Sequence, residues 1–347
     1  MRSPTQQDLQ PEQVSRLVRD TVGAEPVRCT ELAGGGFAAV WRVDLAEPVA
    51  VPGAEPSSAL VLKAGPPPGT PLLTYEADLS TAEGEYLDLV AAGAPEVPVP
   101  RVVARGSAAD GAPDGLGTDW LLTSFLPGTS LTDLPADAAG PVRRDVGAAL
   151  AAVHRISGDR FGYSGARPHG ATWGAAFAAI LGALLSDAEA WGLPPAHVEE
   201  GRVRAALDRH GPVLDAVDRP ALLHFDLWDG NVLVLPGGRG EGQRMSGLVD
   251  GERYLFGDPL VDLVSPVLFG RIEDVPDHPV LRGYAEAAGV PPVLDASART
   301  RLGLYRVWLY VLMLAEMPSR GMDGPEHDGR REHVARLLDE ELTRLGA

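Results

Sequence analysis

The sequence predicts a two-lobed α+β fold, with a small, β-rich N-terminal lobe and a larger, mainly α-helical C-terminal lobe that carries one inserted β-hairpin. Three observations indicate this division. Short strand-like segments surround one helix in residues 1–123, helical patterns fill most of residues 130–347, and two apolar strand segments interrupt those helices between residues 222 and 250. Residues 124–129 are the predicted hinge between the lobes.

The N-terminal lobe is predicted from apolar, strand-like segments separated by turns rich in glycine and proline. Residues 47–58, rich in Pro, Ala and Glu, are expected to extend a hairpin at the surface. Four prolines between Gly65 and Pro71 exclude a helix or a central strand there. The predicted elements are strands at 27–33, 38–45 and 60–63, a helix at 75–92, and strands at 97–104 and 120–125.

The C-terminal lobe is predicted from apolar residues at helical spacing. Helices are expected at 138–156, 173–191 and 203–217, followed by a loop and hairpin at 222–250 and by further helices to residue 347. The sequence shows neither an internal repeat nor a coiled-coil pattern.

Composition places the chain among globular proteins of the reducing cytoplasm. With 347 residues, of which 45% are hydrophobic, it can bury a sizeable core. The N-terminus lacks the features of a secretory signal, and the longest uncharged runs, 173–185 and 307–315, are shorter than the roughly 20 residues that span a bilayer. The single cysteine, Cys29, excludes an internal disulfide and a cysteine-based zinc site. We therefore expect a cytoplasmic protein with no membrane partner.

The charge balance predicts the kind of ligand. A net charge of -18 argues against a nucleic-acid partner, since such a surface has no basic face for a phosphate backbone. A cleft in a strongly acidic surface would concentrate a cationic ligand, although solubility alone also explains the charge. The sequence does not indicate an oligomeric state.

Only one of the 30 basic residues is a lysine, Lys63. Codon bias that removed all other lysines is one explanation. The functional explanation is that Lys63 stands where a compact ammonium is required and a planar guanidinium would not fit.

The strongest motif has the form H-x-D-x-x-x-x-N, and it leads into an apolar strand and then to Leu248-Val249-Asp250. Phosphoryl transfer requires a carboxylate that accepts the proton of a hydroxyl group and oxygen ligands that hold Mg²⁺ against the phosphates. Three polar residues before a hairpin can also occur by chance, but the strand and the closing Val-Asp reduce that chance. The motif reads His224-Phe225-Asp226-Leu227-Trp228-Asp229-Gly230-Asn231.

Hairpin geometry explains how two distant residues can share one metal site. Asn231 opens the first predicted strand, 232–235, and Asp250 closes the second, 246–249. The start of one antiparallel strand lies beside the end of its partner, so the two side chains are expected to meet. Asp226 lies on the loop that leads in, where a base would face the acceptor.

These segments, HFDLWDGN with a following LVDGE, resemble the aminoglycoside phosphotransferase superfamily, the small-molecule kinases that include antibiotic, ketosamine and choline kinases. The resemblance implies a bilobal protein-kinase-like fold with ATP and Mg²⁺ as cofactors. It implies that Asp226 is the catalytic base and that Asn231 and Asp250 are Mg²⁺ ligands. His224 would brace the loop, and Leu233 would form the floor of the adenine pocket.

The resemblance extends to the N-terminal lobe. Lys63 would contact the α- and β-phosphates, and Glu83 falls where the family has the glutamate that pairs with this lysine; Glu85 is the neighbouring candidate but points to another face. The backbone of the W-L-L-T-S-F-L segment would bind adenine. The residues implied to bind nucleotide are completed by the hinge residues Ser124, Phe125 and Leu126 and by the loop glycines Gly34, Gly35 and Gly36, which allow close approach to phosphates.

Several features favour a small-molecule acceptor over a protein. Trp228 stands where Ser/Thr protein kinases carry a lysine, neither D-F-G nor A-P-E follows, and only 97 residues follow Asp250. Asp262 resembles a family aspartate that anchors the catalytic loop. Glu252 and Glu316 are the candidates for binding ammonium groups on the acceptor, although Glu316 could equally be a glutamate that emerges at the surface.

The sequence therefore predicts an ATP-dependent phosphotransferase acting on a hydroxyl of a small, cationic molecule such as an aminoglycoside. A ketosamine, amino-sugar or other metabolite kinase is the alternative within the same chemistry. A catalytically silent nucleotide-binding module is the alternative from another class, but its mark would be loss of the base, a metal ligand or the lysine.

Overall fold

A computed structural model of the chain describes residues 2–32, 35–108, 116–235 and 243–347. The helices of this part are α1 Pro11–Val22, α2 Leu79–Gly93, α3 Ala139–Val153, α4 Trp173–Ala190, α5 Glu200–His210, α6 Pro279–Ala288, α7 Ala296–Ser319 and α8 Asp328–Arg344. The strands are β1 Pro26–Glu31, β2 Ala39–Val51, β3 Ala54–Ala64, β4 Val102–Gly106, β5 Trp120–Ser124, β6 Thr129–Ser130, β7 Phe161–Gly162, β8 His169–Gly170, β9 Ala221–Leu223, β10 Val232–Leu235, β11 Arg244–Leu248 and β12 Leu255–Gly257. This order confirms the predicted two-lobed α+β architecture.

The N-terminal lobe is built on an antiparallel sheet of order β1-β2-β3-β5-β4. Alternate residues of β2 are buried, as expected of a sheet with one face toward a core. The apolar side of α1 packs on one face, together with Leu60 and Leu62, and α2 packs near Leu121 on the other. The long β2–β3 hairpin turns at Gly53, where φ is +64°, so the predicted extension at 47–58 is part of the sheet.

Helix α1 is absent from the predicted elements, although the sequence carries its signal. Pro11 occupies the first helical turn, and Val14, Leu17 and Val18 follow at helical spacing on the buried side. The helix predicted at 75–92 begins later, at Leu79, because Asp78 before it adopts a left-handed φ of +58°.

Among the other elements, two differ most from the prediction. The strand expected at 97–104 lies at Val102–Gly106, and the helix expected at 203–217 ends at His210. A 3₁₀ turn at Gly211–Ala216 continues that segment, since Pro212 has no N–H to extend the α-helical ladder.

The C-terminal lobe packs around α7, whose large side chains are almost all buried. The predicted hairpin is present: Val232 of β10 pairs with Leu248 of β11, and β6 adds a third strand. Part of its turn, residues 236–242, lies outside the described residues. Strands β8, β7, β12 and β9 form a second small sheet, in which β12 and β9 flank the site described below.

Helix α4 is, among the described residues, the one helix long and apolar enough to cross a membrane by length and composition. The sequence-based expectation counted a shorter uncharged run and found no such segment. Trp173, Phe177 and Ile180 on this helix are buried in the C-terminal core, which is also how the core helix of a globular protein behaves.

A short segment of the N-terminal lobe docks onto the C-terminal lobe. Between β3 and α2, the N–H and the hydroxyl of Thr74 both donate to the carboxylate of Asp187 on α4, each at 2.8 Å. The neighbouring Tyr75 and Glu76 are buried. The lobes are therefore joined here as well as through residues 124–129, whose role as a hinge stays a prediction.

Candidate active site

The loop between β9 and β10 carries the H-x-D motif, and a buried aspartate holds it. Asp262 accepts the backbone N–H of His224 at 2.8 Å and of Phe225 at 2.6 Å. Phe225 has a left-handed φ of +67°. This conformation is unfavourable for a residue with a side chain, so it persists only where the surrounding structure holds it. Its ring stacks on Trp308 with centroids 4.0 Å apart, and Ser265 donates to its carbonyl at 2.6 Å. The loop is thus fixed from three sides.

Replacing Asp262 with asparagine is expected to destabilise the fold by about 3 kcal/mol. The substitution puts an NH₂ group against N–H donors in a fully buried place. Denaturant unfolding measures the loss, with Asp277→Asn at an exposed ion pair as a control that should change little. Unchanged stability of Asp262→Asn would show that Asp262 does not hold the loop.

The side chains of His224 and Asn231 also hold the loop in place. His224 Nε2 lies 3.0 Å from the carbonyl oxygen of Val249, so the imidazole braces the loop against the end of the hairpin. Asn231 Nδ2 donates to the backbone carbonyl of Asp226 at 2.7 Å. Because this bond uses the amide nitrogen, the amide oxygen of Asn231 is left to serve as a ligand.

The carboxylate of Asp226 faces Arg253. Its Oδ2 is 3.6 Å from Nε of Arg253, three residues beyond Asp250. Removal from water raises the pKa of Asp226 above its usual value, and the guanidinium opposes this shift. Arg253 therefore favours the ionised form that a proton acceptor requires.

Lys63 joins the two lobes electrostatically. From the end of β3, its Nζ lies 2.5 Å from Oε1 of Glu83 on α2 and also contacts the carboxylate of Asp250. Burial alone would lower the pKa of Lys63, but Asp250 and Glu83 raise it above its usual value. Burial would likewise raise the pKa of Asp250, yet the ammonium holds it below the usual range. Glu85 instead accepts from Tyr254 at 2.5 Å.

Glu252 stands beside this cluster. Ligand oxygens of Glu83, Asp250 and Glu252 lie within 4.8 Å of one another, a spacing that suits a metal ion. Burial and the nearby Asp250 raise the pKa of Glu252 to about 8. Its buried Oε2 has no hydrogen-bond partner among the residues that the structure describes. Glu252 thus adds an oxygen beside Asp250, the kind of donor that Mg²⁺ prefers.

The predicted hinge residues differ in whether their backbone N–H is free to bind an adenine ring. The N–H of Ser124 donates to Arg101 O at 2.9 Å, and that of Phe125 to Ala59 O at 3.1 Å. Of these three hinge N–H groups, that of Leu126 has no hydrogen-bond partner among the residues that the structure describes. Leu233, on β10, is half-buried, and its pairing partner is Gly247, which the side chain of Leu126 approaches closely. Leu126 and Leu233 are thus the stronger candidates for contact with the base.

The glycine-rich loop is described in part. Gly34 lies outside the described residues, whereas Gly35 and Gly36 lie between β1 and β2 next to the N-terminal residues Thr5 and Gln6. Their roles toward phosphate stay predictions.

A cluster of alternating charges lies next to Asp226, and sequence reasoning missed most of its members. Glu316 Oε1, near the end of α7, lies 2.8 Å from Arg253 and 3.9 Å from Arg320, and it accepts a hydrogen bond from the Tyr75 hydroxyl. Arg320 also pairs with buried Glu76. Glu316 is therefore not a free surface glutamate but a half-buried one that is paired with two arginines.

The missed residues had no distinctive pattern in the sequence. Arginine is abundant in this chain, so Arg253 and Arg320 do not stand out. Tyr75 fell inside a predicted helix, which hid its position at the join between the lobes. The one available signal was that Arg253 directly follows Glu252 in the segment after the motif.

The charge of Glu316 should make a pH-dependent contribution to stability. Burial would raise its pKa, but Arg253 and Arg320 hold it below the usual range. A carboxylate whose pKa is lower in the folded than in the unfolded state stabilises the fold. This contribution is fully present above the unfolded-state pKa of about 4.3, and it is lost as the pH falls through the folded-state pKa. We expect Glu316→Gln to cost about 2 kcal/mol at pH 7 and progressively less below pH 4. Denaturant unfolding of both proteins from pH 3 to 8 measures this, and a difference independent of pH would contradict it.

The class of protein follows from comparison with known families. The model of the phosphotransferase enzyme family (APH) matches residues 49–301, most of the chain, and the chain belongs to this family. It is a small-molecule phosphotransferase, as the sequence motifs predicted. Comparison with curated proteins gave no match.

Solved structures show the same fold. A thermostable mutant of aminoglycoside phosphotransferase APH(4)-Ia, in ternary complex with AMP-PNP and hygromycin B, superposes with a TM-score of 0.61 at 18% identity, covering 96% of this chain and 99% of that one. A protein from Thermobifida fusca, provisionally identified as a fructosamine-3-kinase, gives 0.62 at 22% identity, with coverage of 94% and 98%. The kinase-like fold predicted from the sequence is confirmed.

Proposed function

We propose that this chain transfers the γ-phosphoryl group of MgATP to a hydroxyl of a small, cationic molecule such as an aminoglycoside. One observation carries the proposal. The candidate base Asp226, the candidate metal ligands Asn231 and Asp250, and the only lysine, Lys63, converge on one site from different segments of the chain. These are the groups that phosphoryl transfer to an alcohol requires.

Each residue has a role in this reaction. Asp226 accepts the proton of the acceptor hydroxyl as the acceptor oxygen bonds to the γ-phosphorus and the bond to the β–γ bridging oxygen breaks, releasing ADP. Lys63, oriented by Glu83, neutralises the α- and β-phosphates. Arg253 keeps Asp226 ionised and oriented.

The metal site fits Mg²⁺ by its donor set. Asn231 and Asp250 would hold the ion, and the unpartnered oxygen of Glu252 faces the same cluster. When bound, the ion neutralises the phosphates and orients them for transfer. Lys63 would then turn from Asp250 toward the phosphates while keeping Glu83.

The cationic nature of the acceptor is supported by the net charge of -18. Glu316 and Glu252 remain the proposed contacts for ammonium groups. Since Glu316 is paired with Arg253, an ammonium that uses it has to displace that guanidinium. Because the chain has one cysteine and an acidic surface, we further propose a cytoplasmic location.

A ketosamine or amino-sugar kinase is a second candidate because of Trp228. This side chain is 41% exposed, two residues after the base, and it packs over Gly230. An exposed indole beside a catalytic carboxylate offers a flat face for a sugar ring or an amine.

Coupled ADP release with MgATP tests the proposal against aminoglycosides, amino sugars, ketosamines and choline, each with Asp226→Ala as a control. Acceptor-dependent turnover that the mutant loses would establish the kinase and name its substrate class. Tight MgATP binding without turnover would favour the catalytically silent module or an acceptor outside the panel. Absence of MgATP binding would overturn the proposal.

A further inference from the structure

The segment before α1 runs along the glycine-rich loop and binds its carbonyl groups. Gln6 Nε2 donates to Gly35 O at 2.8 Å and to Ala38 O at 3.2 Å. Thr5 is fully buried, and its hydroxyl donates to Gly36 O at 3.1 Å. Two adjacent side chains therefore hold three carbonyls of the loop.

The amide of Gln6 is itself fixed in orientation. Its Oε1 accepts the backbone N–H of Ser3 at 3.0 Å, and the N–H of Gln6 donates back to Ser3 O at 3.0 Å. With the oxygen occupied by a donor, the nitrogen has to face the loop carbonyls.

Holding the carbonyls also sets the direction of the N–H groups. In a planar trans peptide the C=O and the following N–H point in opposite directions. The N–H groups of Gly36 and Phe37 therefore point away from Thr5 and Gln6. Among the residues that the structure describes, neither of these N–H groups has a hydrogen-bond partner. Free backbone N–H groups of this kind can donate hydrogen bonds to an anion such as a phosphate.

The loop also contacts the end of α7. The guanidinium of Arg320 lies 5.1 Å from the ring centroid of Phe37, and a Cβ placed on Gly36 would lie 4.0 Å from Arg320. Pro4, in the segment before α1, reaches within 3.4 Å of a Cβ placed on Gly321. The loop is held between the N-terminal segment and the C-terminal lobe.

We propose that Thr5 and Gln6 are positioning residues for the nucleotide, because they hold the glycine-rich loop with its N–H groups free for the phosphates. The proposal rests on the proposed ATP-dependent function. A loop rich in glycine loses much conformational freedom when it orders around a ligand. Because the two side chains order the loop beforehand, nucleotide binding no longer bears this cost and the affinity rises.

The test is the affinity of the 347-residue chain for AMP-PNP with Mg²⁺, measured by titration calorimetry. Gln6→Met keeps the length of the side chain and removes its donors, so we expect the Kd to rise about tenfold. Thr5→Val should raise it about threefold, while Thr5→Ser, which retains the hydroxyl, should bind like the wild type.

Gln13→Met is the matched control. Like Gln6, Gln13 is half-buried and accepts the N–H of the residue three positions before it, Gln10, at 2.9 Å, but its hydrogen bonds do not involve the loop. We expect Gln13→Met to leave the Kd unchanged. The melting temperature without nucleotide identifies a general loss of stability. Hydrogen exchange of the loop amides should be faster in Gln6→Met and unchanged in Gln13→Met.

The outcomes separate the two proposals. Wild-type binding with an equal Kd for Gln6→Met would overturn the positioning role and leave the kinase intact. A rise in Kd that Gln13→Met shares would also overturn it, because the effect would come from stability. If the wild type does not bind AMP-PNP, the proposed function fails, and with it a role of these residues in nucleotide binding.

Discussion

Asp226→Asn is expected to lower phosphoryl transfer by about 10²- to 10⁴-fold, the range for loss of a general base. Asparagine has nearly the same shape but cannot accept a proton from the acceptor hydroxyl. The affinity for AMP-PNP with Mg²⁺ should be unchanged, since the Asp226 carboxylate faces Arg253, where we propose that the acceptor binds. Steady-state kinetics, once an acceptor is known, together with calorimetry separates these two effects.

Asp229→Asn provides the matched control on the same loop. Its carboxylate pairs with Arg143 of α3, away from the candidate base. We expect activity close to that of the wild type. If Asp226→Asn retained full activity, the base would have to be another group; if both variants lost activity equally, the loop as a whole would be responsible.

Lys63→Met should lower kcat/KM for MgATP by about 10²- to 10³-fold, because the variant removes the ammonium that we propose neutralises the phosphates. The variant also leaves Glu83 and Asp250 facing each other without the cation they share. Lys63→Arg should fail almost as badly, since a planar guanidinium cannot fill the place of a compact ammonium between two carboxylates. Full activity of Lys63→Arg would contradict this argument.

The sequence predicted the parts of the site that local motifs encode. Asp226, Asn231 and Asp250 lie on one loop and one hairpin, so their spacing along the chain already implied their proximity. Tertiary packing determines the rest. Arg253 and Arg320 acquire partners only when α7 lies beside the loop that carries the H-x-D motif. No periodic pattern in the sequence indicates that contact. Helix α1, by contrast, had a readable pattern and was overlooked.

The interactions of Thr5 and Gln6 show a different limit of sequence reasoning. Their partners are backbone carbonyls, which every residue has, so no complementary side chain marks the contact in the sequence. Polar residues before a helix are read as a solvated terminus unless the fold brings a loop to them. Here the fold places residues 35–38 of the glycine-rich loop beside Thr5 and Gln6.

The docking of Thr74, Tyr75 and Glu76 onto the C-terminal lobe constrains how the cleft opens. It is one of several contacts that join the lobes besides residues 124–129. Tyr254 donates to Glu85 on α2, and the N–H of Leu248 donates to the carbonyl oxygen of Pro98. A motion that separated the lobes as rigid bodies would have to break all of these contacts together.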